Sequence, residues 1–179
     1  MNSKIILTLF IAFIMITSVI GFIWSSDDSV TDSSEILEYN NHQFKNVNGK
    51  YVVEINDQGY IFDNSPYELS SINFEDFIIE SDKYYILFDP EDKDLNMEYS
   101  MQKLYSVLTS LNINVQLACT KEEGCDSTLP IKTCNDYSFY LRKSSDAKIY
   151  KQDKCIVVEG TNEGISKAVD KINLKLLNI

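Results

Sequence analysis

The chain has 179 residues, with 16 lysines and arginines against 27 aspartates and glutamates, a formal net charge of -11 and an isoelectric point near 4.5. Arg142 is the only arginine, so the basic footprint that a phosphate backbone requires is missing; this excludes nucleic acid as a partner and disfavours anionic membrane surfaces. With 44% apolar residues, the chain reads as one membrane-directed segment plus one domain long enough to bury its own core.

From Ile5 to Trp24 twenty consecutive residues carry no charge. A helix of that length, rising about 1.5 Å per residue, covers the roughly 30 Å hydrocarbon core of a bilayer. Cleavable signal peptides have shorter apolar regions and end in a small-x-small site, so residues 1–24 read as a retained anchor in preference to a cleaved signal. No cysteine lies near the end of the run, which excludes a lipoprotein signal. Lys4 precedes the span and Asp27 and Asp28 follow it, which places the N-terminus in the cytoplasm and the C-terminal domain outside. Trp24 suits the outer interface. The expectation is a single-pass protein of the cell membrane, held through residues 5–24.

Residues 25–41 open with a run of Ser, Asp and Thr that solvates better than it packs, and read as a stalk. The domain is expected over 42–179. From His42 onward apolar and polar residues alternate around Asn48-Gly49 and Asp57-Gln58-Gly59, the pattern of a three-stranded meander. Ser65-Pro66 breaks it, and Phe74 to Ile79 resumes a short apolar run. Tyr84 to Phe88 is a buried-type strand, followed after a charged loop by Met97, Met101, Leu104, Tyr105, Leu108 and Leu111 at helical spacing, with Asp94 as N-cap. A further strand over 113–118 completes a β-α-β unit, for which a right-handed crossover is the default. Strands over 138–142, 147–151 and 155–159 lead to a helix over 162–177. Its apolar stripe is Ile165, Ala168, Val169, Ile172 and Leu176, and Lys167, Lys171 and Lys175 lie on a solvated face. The fold class is α/β (α+β), a small mixed sheet packed by two helices behind the N-terminal segment.

All four cysteines fall in the outer domain, where an oxidising exterior lets them pair. Of the three connectivities, Cys119 with Cys125 and Cys134 with Cys155 is preferred: the first closes a short loop, the second ties a loop to a late strand. The gaps C-x5-C, C-x8-C and C-x20-C do not match the paired spacing of zinc ligands, and C-x-x-C is missing.

Asp89, Glu91, Asp92 and Asp94 cluster after the strand over 84–88, where ligands of open α/β sheets bind, and are the candidate ligands of a divalent cation. The spacing is not that of an EF-hand, and a solvated loop before a helix explains the same charges. The loop from Glu159 to Gly164 matches no phosphate-binding pattern and reads as a helix start. His42 is the only histidine, so neither a histidine-activated nucleophile nor a multi-histidine metal site can be assembled within one chain. Among the eleven tyrosines, Tyr137, Tyr140 and Tyr150 are the candidates for a binding face. No catalytic residue and no organic cofactor are indicated.

The order Phe88-Asp89-Pro90, Ala118-Cys119, Cys125, Leu129-Pro130-Ile131, Cys134 and Cys155-Ile156-Val157-Val158-Glu159-Gly160 before an amphipathic helix resembles a group of small uncharacterised archaeal single-span membrane-anchored proteins, over residues 84–179. The resemblance implies one N-terminal span, an outer α/β domain and paired cysteines, and it implies no activity. The expected function is a non-catalytic binding or assembly module of the cell envelope with an envelope protein as partner. The alternative is a divalent-cation-dependent enzyme or sensor using residues 89–94.

Overall fold

The computed structural model describes residues 35–179. The expected membrane span and most of the expected stalk lie outside the described residues, and no helix among the described residues is long and apolar enough to cross a membrane.

Four strands form an antiparallel meander: β1 (Ile36–Tyr39), β2 (His42–Val47), β3 (Lys50–Ile55) and β4 (Gln58–Phe62), in that spatial order. The sequence pattern alone suggests three, because Ile36 to Tyr39 follow directly on the Ser/Asp-rich run; the end of the expected stalk is instead β1, paired with β2 from Tyr39 opposite His42 to Ile36 opposite Lys45. Each hairpin closes through two residues, and their φ values are 47° and 64° at Asn40 and Asn41, 53° and 78° at Asn48 and Gly49, and 51° and 63° at Asn56 and Asp57. Asparagine, aspartate and glycine tolerate this left-handed region, and two such residues in succession give the turn whose twist matches the strands it joins. Phe44, Val53 and Phe62 alternate onto the inner face and are buried.

After a 3-10 turn at Glu68–Ser71 a six-stranded sheet is assembled from β5 (Asn73–Phe74), β6 (Lys83–Phe88), β7 (Asn114–Cys119), β8 (Ser138–Lys143), β9 (Lys148–Gln152) and β10 (Cys155–Gly160), in the order β5-β9-β10-β8-β6-β7. β7, β6, β8 and β10 are mutually parallel, and β9 runs antiparallel to β10. The apolar run from Phe74 to Ile79 contributes only its first residue to this sheet, against Ile149 of β9; Phe77 is buried without a strand partner and Ile78 is exposed.

Helix α1 (Leu95–Ser110) connects β6 to β7, and α2 (Asn162–Leu176) follows β10. Asp94 Oδ1 accepts the Met97 N–H at 2.9 Å and Thr161 Oγ1 accepts the Gly164 N–H at 3.2 Å, so a short polar side chain satisfies an orphan donor at each helix start. Met97, Met101, Leu104 and Leu108 from α1, with Ile165, Ala168, Val169 and Ile172 from α2, meet Ile86, Phe88, Phe139, Leu141 and Val158 of the sheet in one core that also takes in Phe44, Val53 and Phe62 of the meander. A helix buried on one stripe would present Asp170 and Asn173 to solvent, yet they are 0% and 2% exposed, because the meander covers the side of α2 that the sheet does not.

Asp170 marks that seam. It accepts hydrogen bonds from the Asp63 and Asn64 backbone N–H groups and from the Asn64 side chain, and pairs with Lys103 of α1. Asp63, in turn, pairs with Lys103 and Lys50. Two carboxylates and two ammonium groups therefore balance where the end of β4 meets both helices. Burial pushes the Asp170 carboxyl up, against the pull of Lys103 and Asn64.

Candidate functional site

The second face of the six-stranded sheet carries no helix. Strand alternation sends Phe139, Leu141, Ile156 and Val158 to the helices, and therefore Tyr140, Arg142, Cys155, Val157 and Glu159 to the opposite side. Register then aligns rows across it: Tyr150, Val157, Tyr140, Leu87 and Ala118 lie level, and Lys148, Glu159 and Arg142 lie level one pleat further on. Leu87, Ala118, Cys155 and Val157 are buried at the centre of this face, with Tyr85, Cys134, Tyr140 and Tyr150 half-buried around them.

One disulfide closes on this face and the other behind it: Cys134 and Cys155 pack with Leu87, Ala118 and Val157, whereas Cys119 and Cys125 pack with the helix-side core. Cys134 bonds to Cys155, which anchors the loop after β7 onto β10, and Cys119 bonds to Cys125 at the end of β7. The backbone continues the clamp: Lys154 N–H donates to the Cys134 carbonyl at 3.0 Å and Lys132 N–H to the Cys119 carbonyl at 2.9 Å. Without these tethers a loop of polar residues would have no apolar stripe to hold it against the sheet. The loop forms one wall of a cavity of about 380 Å³ lined by Leu87, Thr120, Lys132, Asn135, Tyr140 and Gln152, with the Cys134 side of the disulfide in the wall. Thr120 Oγ1, on that lining, is a buried hydroxyl with no hydrogen-bond partner.

Two cations on the face share one buried carboxylate. Arg142 Nε and Nη2 both approach Glu159 Oε2, at 2.7 and 2.6 Å, and Lys148 Nζ reaches Oε1 at 2.9 Å. Arg142 also donates to the Tyr150 hydroxyl at 2.6 Å and lies 5.9 Å from the centre of the Tyr140 ring. Glu159 is 4% exposed. Burial alone would push its carboxyl up, but the hydrogen bonds from Lys148 and Arg142 outweigh it and hold the group below the ordinary carboxylate value. Burial pushes both tyrosine phenols, Tyr140 and Tyr150, above their ordinary value, against the nearby Arg142. Both therefore stay neutral hydrogen-bonding groups at physiological pH. Lys132 is paired with Asp136 at 3.2 Å and also sits 4.8 Å above the Tyr85 ring. The result is an aromatic surface with amide and hydroxyl groups at its edge, an Arg142–Lys148–Glu159 cluster on one side and the Asp153 carboxylate on the cavity lining.

Of the three tyrosines singled out in the sequence, Tyr140 and Tyr150 come together here on either side of Val157. Tyr137 does not: it packs against Tyr84 with ring centres 5.7 Å apart, and its hydroxyl is 3.5 Å from Glu80. Tyr85, Arg142, Lys148 and Glu159 join the site only through the register of four strands, which no local pattern encodes.

The acidic loop is divided among several partners. Asp89 accepts the Glu91 N–H at 2.9 Å, and Lys121 spans Asp89 and Glu91 at 3.1 and 2.9 Å. Asp92 accepts the Lys143 N–H at 3.0 Å, and Asp94 takes the α1 cap, the Lys143 ammonium and the Asn162 amide. Hydrogen bonds from Lys143, Met97 and Asn162 hold Asp94 far below the ordinary carboxylate value; the Glu91 N–H and Lys121 hold Asp89 below it against a small burial penalty. Among the described residues no group of three or more histidine, cysteine, aspartate or glutamate side chains is placed to hold a metal ion.

Comparison of the chain with protein-family models, with curated proteins and with solved structures finds no match in any of the three.

Proposed function

We propose that this chain is a membrane-anchored, extracytoplasmic binding module of the cell envelope, that it is not an enzyme, and that the helix-free face around Tyr140 and Tyr150 is its binding surface. The observation that carries the reading is the cavity of about 380 Å³ on that face, built from tyrosine, amide and hydroxyl groups and walled by a disulfide-tethered loop. The lining is polar in the main, with Leu87, Cys134 and Tyr140 as its apolar part, and convergent hydroxyl and amide groups in a concavity are what fix a ligand's orientation. Arg142 and Lys148 share Glu159, Lys132 pairs with Asp136, and Asp153 on the cavity lining adds a third carboxylate; with three cations against three carboxylates the surface favours a neutral, hydroxyl-rich ligand over an anion, and the natural candidate outside a cell is an envelope polysaccharide. The two disulfides support an oxidising location. The uncharged run from Ile5 to Trp24 supports attachment to the membrane, with the N-terminus inside.

The test is co-sedimentation of the full chain, purified in detergent, with isolated envelope polysaccharide. Wild type is expected in the pellet, and Tyr140→Ala is expected to weaken retention about tenfold, the loss of roughly 1.4 kcal/mol of contact. Equal retention of wild type and Tyr140→Ala, or no retention of either, would remove this face from consideration.

A further inference from the structure

Lys103 and Asp170 meet where the meander closes against both helices, away from the helix-free face of the sheet. Lys103 Nζ, on α1, lies 2.5 Å from Asp170 Oδ1, on α2, and 2.7 Å from Oδ2 of Asp63, the residue after β4. The side chains of Lys103, Asp170 and Asp63 are 10%, 0% and 13% exposed. An amine and two carboxyls packed this deeply forfeit most of their hydration, and a buried ion pair returns little net stability for that loss. Lys103 and Asp170 are 67 residues apart in sequence, so the contact exists only once both helices have docked.

The two oxygens of Asp170 have different surroundings. Oδ1 faces the lysine, whereas Oδ2 accepts three N–H groups: the Asp63 backbone at 2.9 Å, the Asn64 backbone at 3.0 Å and the Asn64 side chain at 2.8 Å. Three fixed donors on one carboxyl oxygen draw electron density from Cγ and sit where negative charge collects when a nucleophile adds to it, the arrangement of an oxyanion hole. Burial also pushes the Asp170 carboxyl up, towards the neutral acid that an amine can attack. Two docked helices hold amine and carboxyl together, and well-oriented groups of this kind react as though present at about 10⁵ M or more.

Asp63 is placed as the base. Its Oδ2 accepts from the same Lys103 ammonium, and from the Ser166 hydroxyl at 3.4 Å; its Oδ1 accepts from Lys50 and from the Tyr99 hydroxyl at 3.3 Å. Burial pushes the Asp63 carboxyl up, but the hydrogen bonds from Lys103 and Lys50 outweigh it and keep the group ionised. Lys50 is half-exposed and keeps its hydration, so Lys103 is the amine of this cluster that is held dry against a carboxyl carbon.

We infer that Lys103 and Asp170 condense into an amide, a covalent cross-link between α1 and α2 that the folded chain forms by itself. Asp63 Oδ2 takes one proton from the Lys103 ammonium, and the freed Nζ lone pair attacks Asp170 Cγ. The charge that develops on Oδ2 is carried by the Asp63 and Asn64 donors. A second Nζ proton and the one held by Asp63 then pass to Oδ1, which leaves as water. One C–N bond forms and one C–O bond breaks. Of the three ammonium protons one stays on the amide and two depart in the water, the opposite charges of the pair cancel, and Asp63 is returned ionised. No oxidant, reductant or activating group is required. The product replaces a buried ion pair with a neutral amide, in a site that excludes the water needed to reverse the step. The pair of Lys103 with Asp170 is the state that precedes the bond.

The test is a tryptic map of the full chain, purified in detergent, reduced and alkylated, read by tandem mass spectrometry. Trypsin does not cut after an acylated lysine, so the expected product is residues 94–121, uncleaved after Lys103 and joined to residues 168–171, one water lighter than the two peptides together. Most of the wild-type chain is expected in this form. Lys103→Arg keeps a cation against both carboxylates and should restore cleavage at 103 and release 168–171 free. Asp63→Asn removes the base and should lower the fraction bonded in a fixed time at neutral pH about a hundredfold. Incubation at about pH 10, where hydroxide replaces the missing base, should restore the bond in that variant; a chain that had merely failed to fold would not recover it. Wild-type chain cleaved after Lys103, with 168–171 free, would overturn the cross-link and leave the pair ionic. A cross-link to residues 51–83, which contain Asp63, would overturn Asp170 as the acceptor. Asp63→Asn bonded as fully as wild type at neutral pH, or not rescued by alkali, would overturn Asp63 as the base.

Discussion

Asp170, in the middle of α2, accepts the backbone N–H of Asp63 at 2.9 Å across 107 residues of sequence. One carboxylate therefore fixes where the meander ends against the helices, and its worth can be measured. Asp170→Ala leaves the Asp63 and Asn64 N–H groups without an acceptor and removes one of the two partners of Lys103. A destabilisation of about 3 kcal/mol is expected in urea unfolding. Asp170→Asn keeps an oxygen for the two amides and should cost visibly less. Equal losses would mean that charge, not backbone capping, carries the contribution.

The acid limb of stability follows from the same groups. Asp63, Asp94 and Glu159 are held below their ordinary values of 3.8, 3.8 and 4.5. For Asp63 and Glu159 burial works the other way but is outweighed by bonds from lysine and, for Glu159, arginine. A carboxyl depressed in the folded state stabilises above its unfolded value and loses that contribution as pH falls through the folded one. The melting temperature should therefore be level down to about pH 5 and fall steadily below it. Asp170, raised by burial, acts in the opposite sense and moderates the slope. Asp94→Asn should flatten the acid limb, as scanning calorimetry across the range would show.

The two disulfides should differ in weight. Chain entropy assigns about 3 kcal/mol to a loop the size of the Cys134–Cys155 closure, which spans 21 residues, and about 2 kcal/mol to the Cys119–Cys125 closure, which spans 6. Cys134→Ala with Cys155→Ala should be the more destabilised pair in urea unfolding, and should also admit faster hydrogen exchange in the loop around Asn135.

Calcium and magnesium should leave the melting temperature unchanged. Lys121, the Lys143 backbone N–H and ammonium, and the Asn162 amide already occupy the carboxylates of the loop from Asp89 to Asp94, and a cation would have to displace them. A rise with either ion that disappears in Asp89→Asn would restore the cation reading, since a ligand of the native state must stabilise it according to its affinity.

Much of the architecture was legible in local pattern. The helical spacing from Met97 to Leu108, the cap at Asp94 and the strands over 138–142 and 155–159 are each specified by residues within one turn or one hairpin of one another, and they appear within a residue or two of the expected bounds. β1 is hidden because four residues cannot show alternation against a polar run, and the apolar run from Phe74 to Ile79 leaves its role open because apolar composition does not reveal whether a sheet edge is vacant to receive it; only Phe74 pairs.

The sequence by itself determined the chemistry on offer: an acidic chain with one arginine and one histidine, a span-length apolar run, four cysteines in its C-terminal part and helices and strands set by spacing. Tertiary structure alone decided which residues meet. Tyr140 joins Tyr150 and leaves Tyr137 because strand register and alternation sort side chains between two faces of a sheet. Asn173 became a buried, unpartnered amide because a meander from the far end of the chain closed over a helix face whose sequence reads as solvated. Local spacing records neither event, because both depend on contacts between residues scores of positions apart.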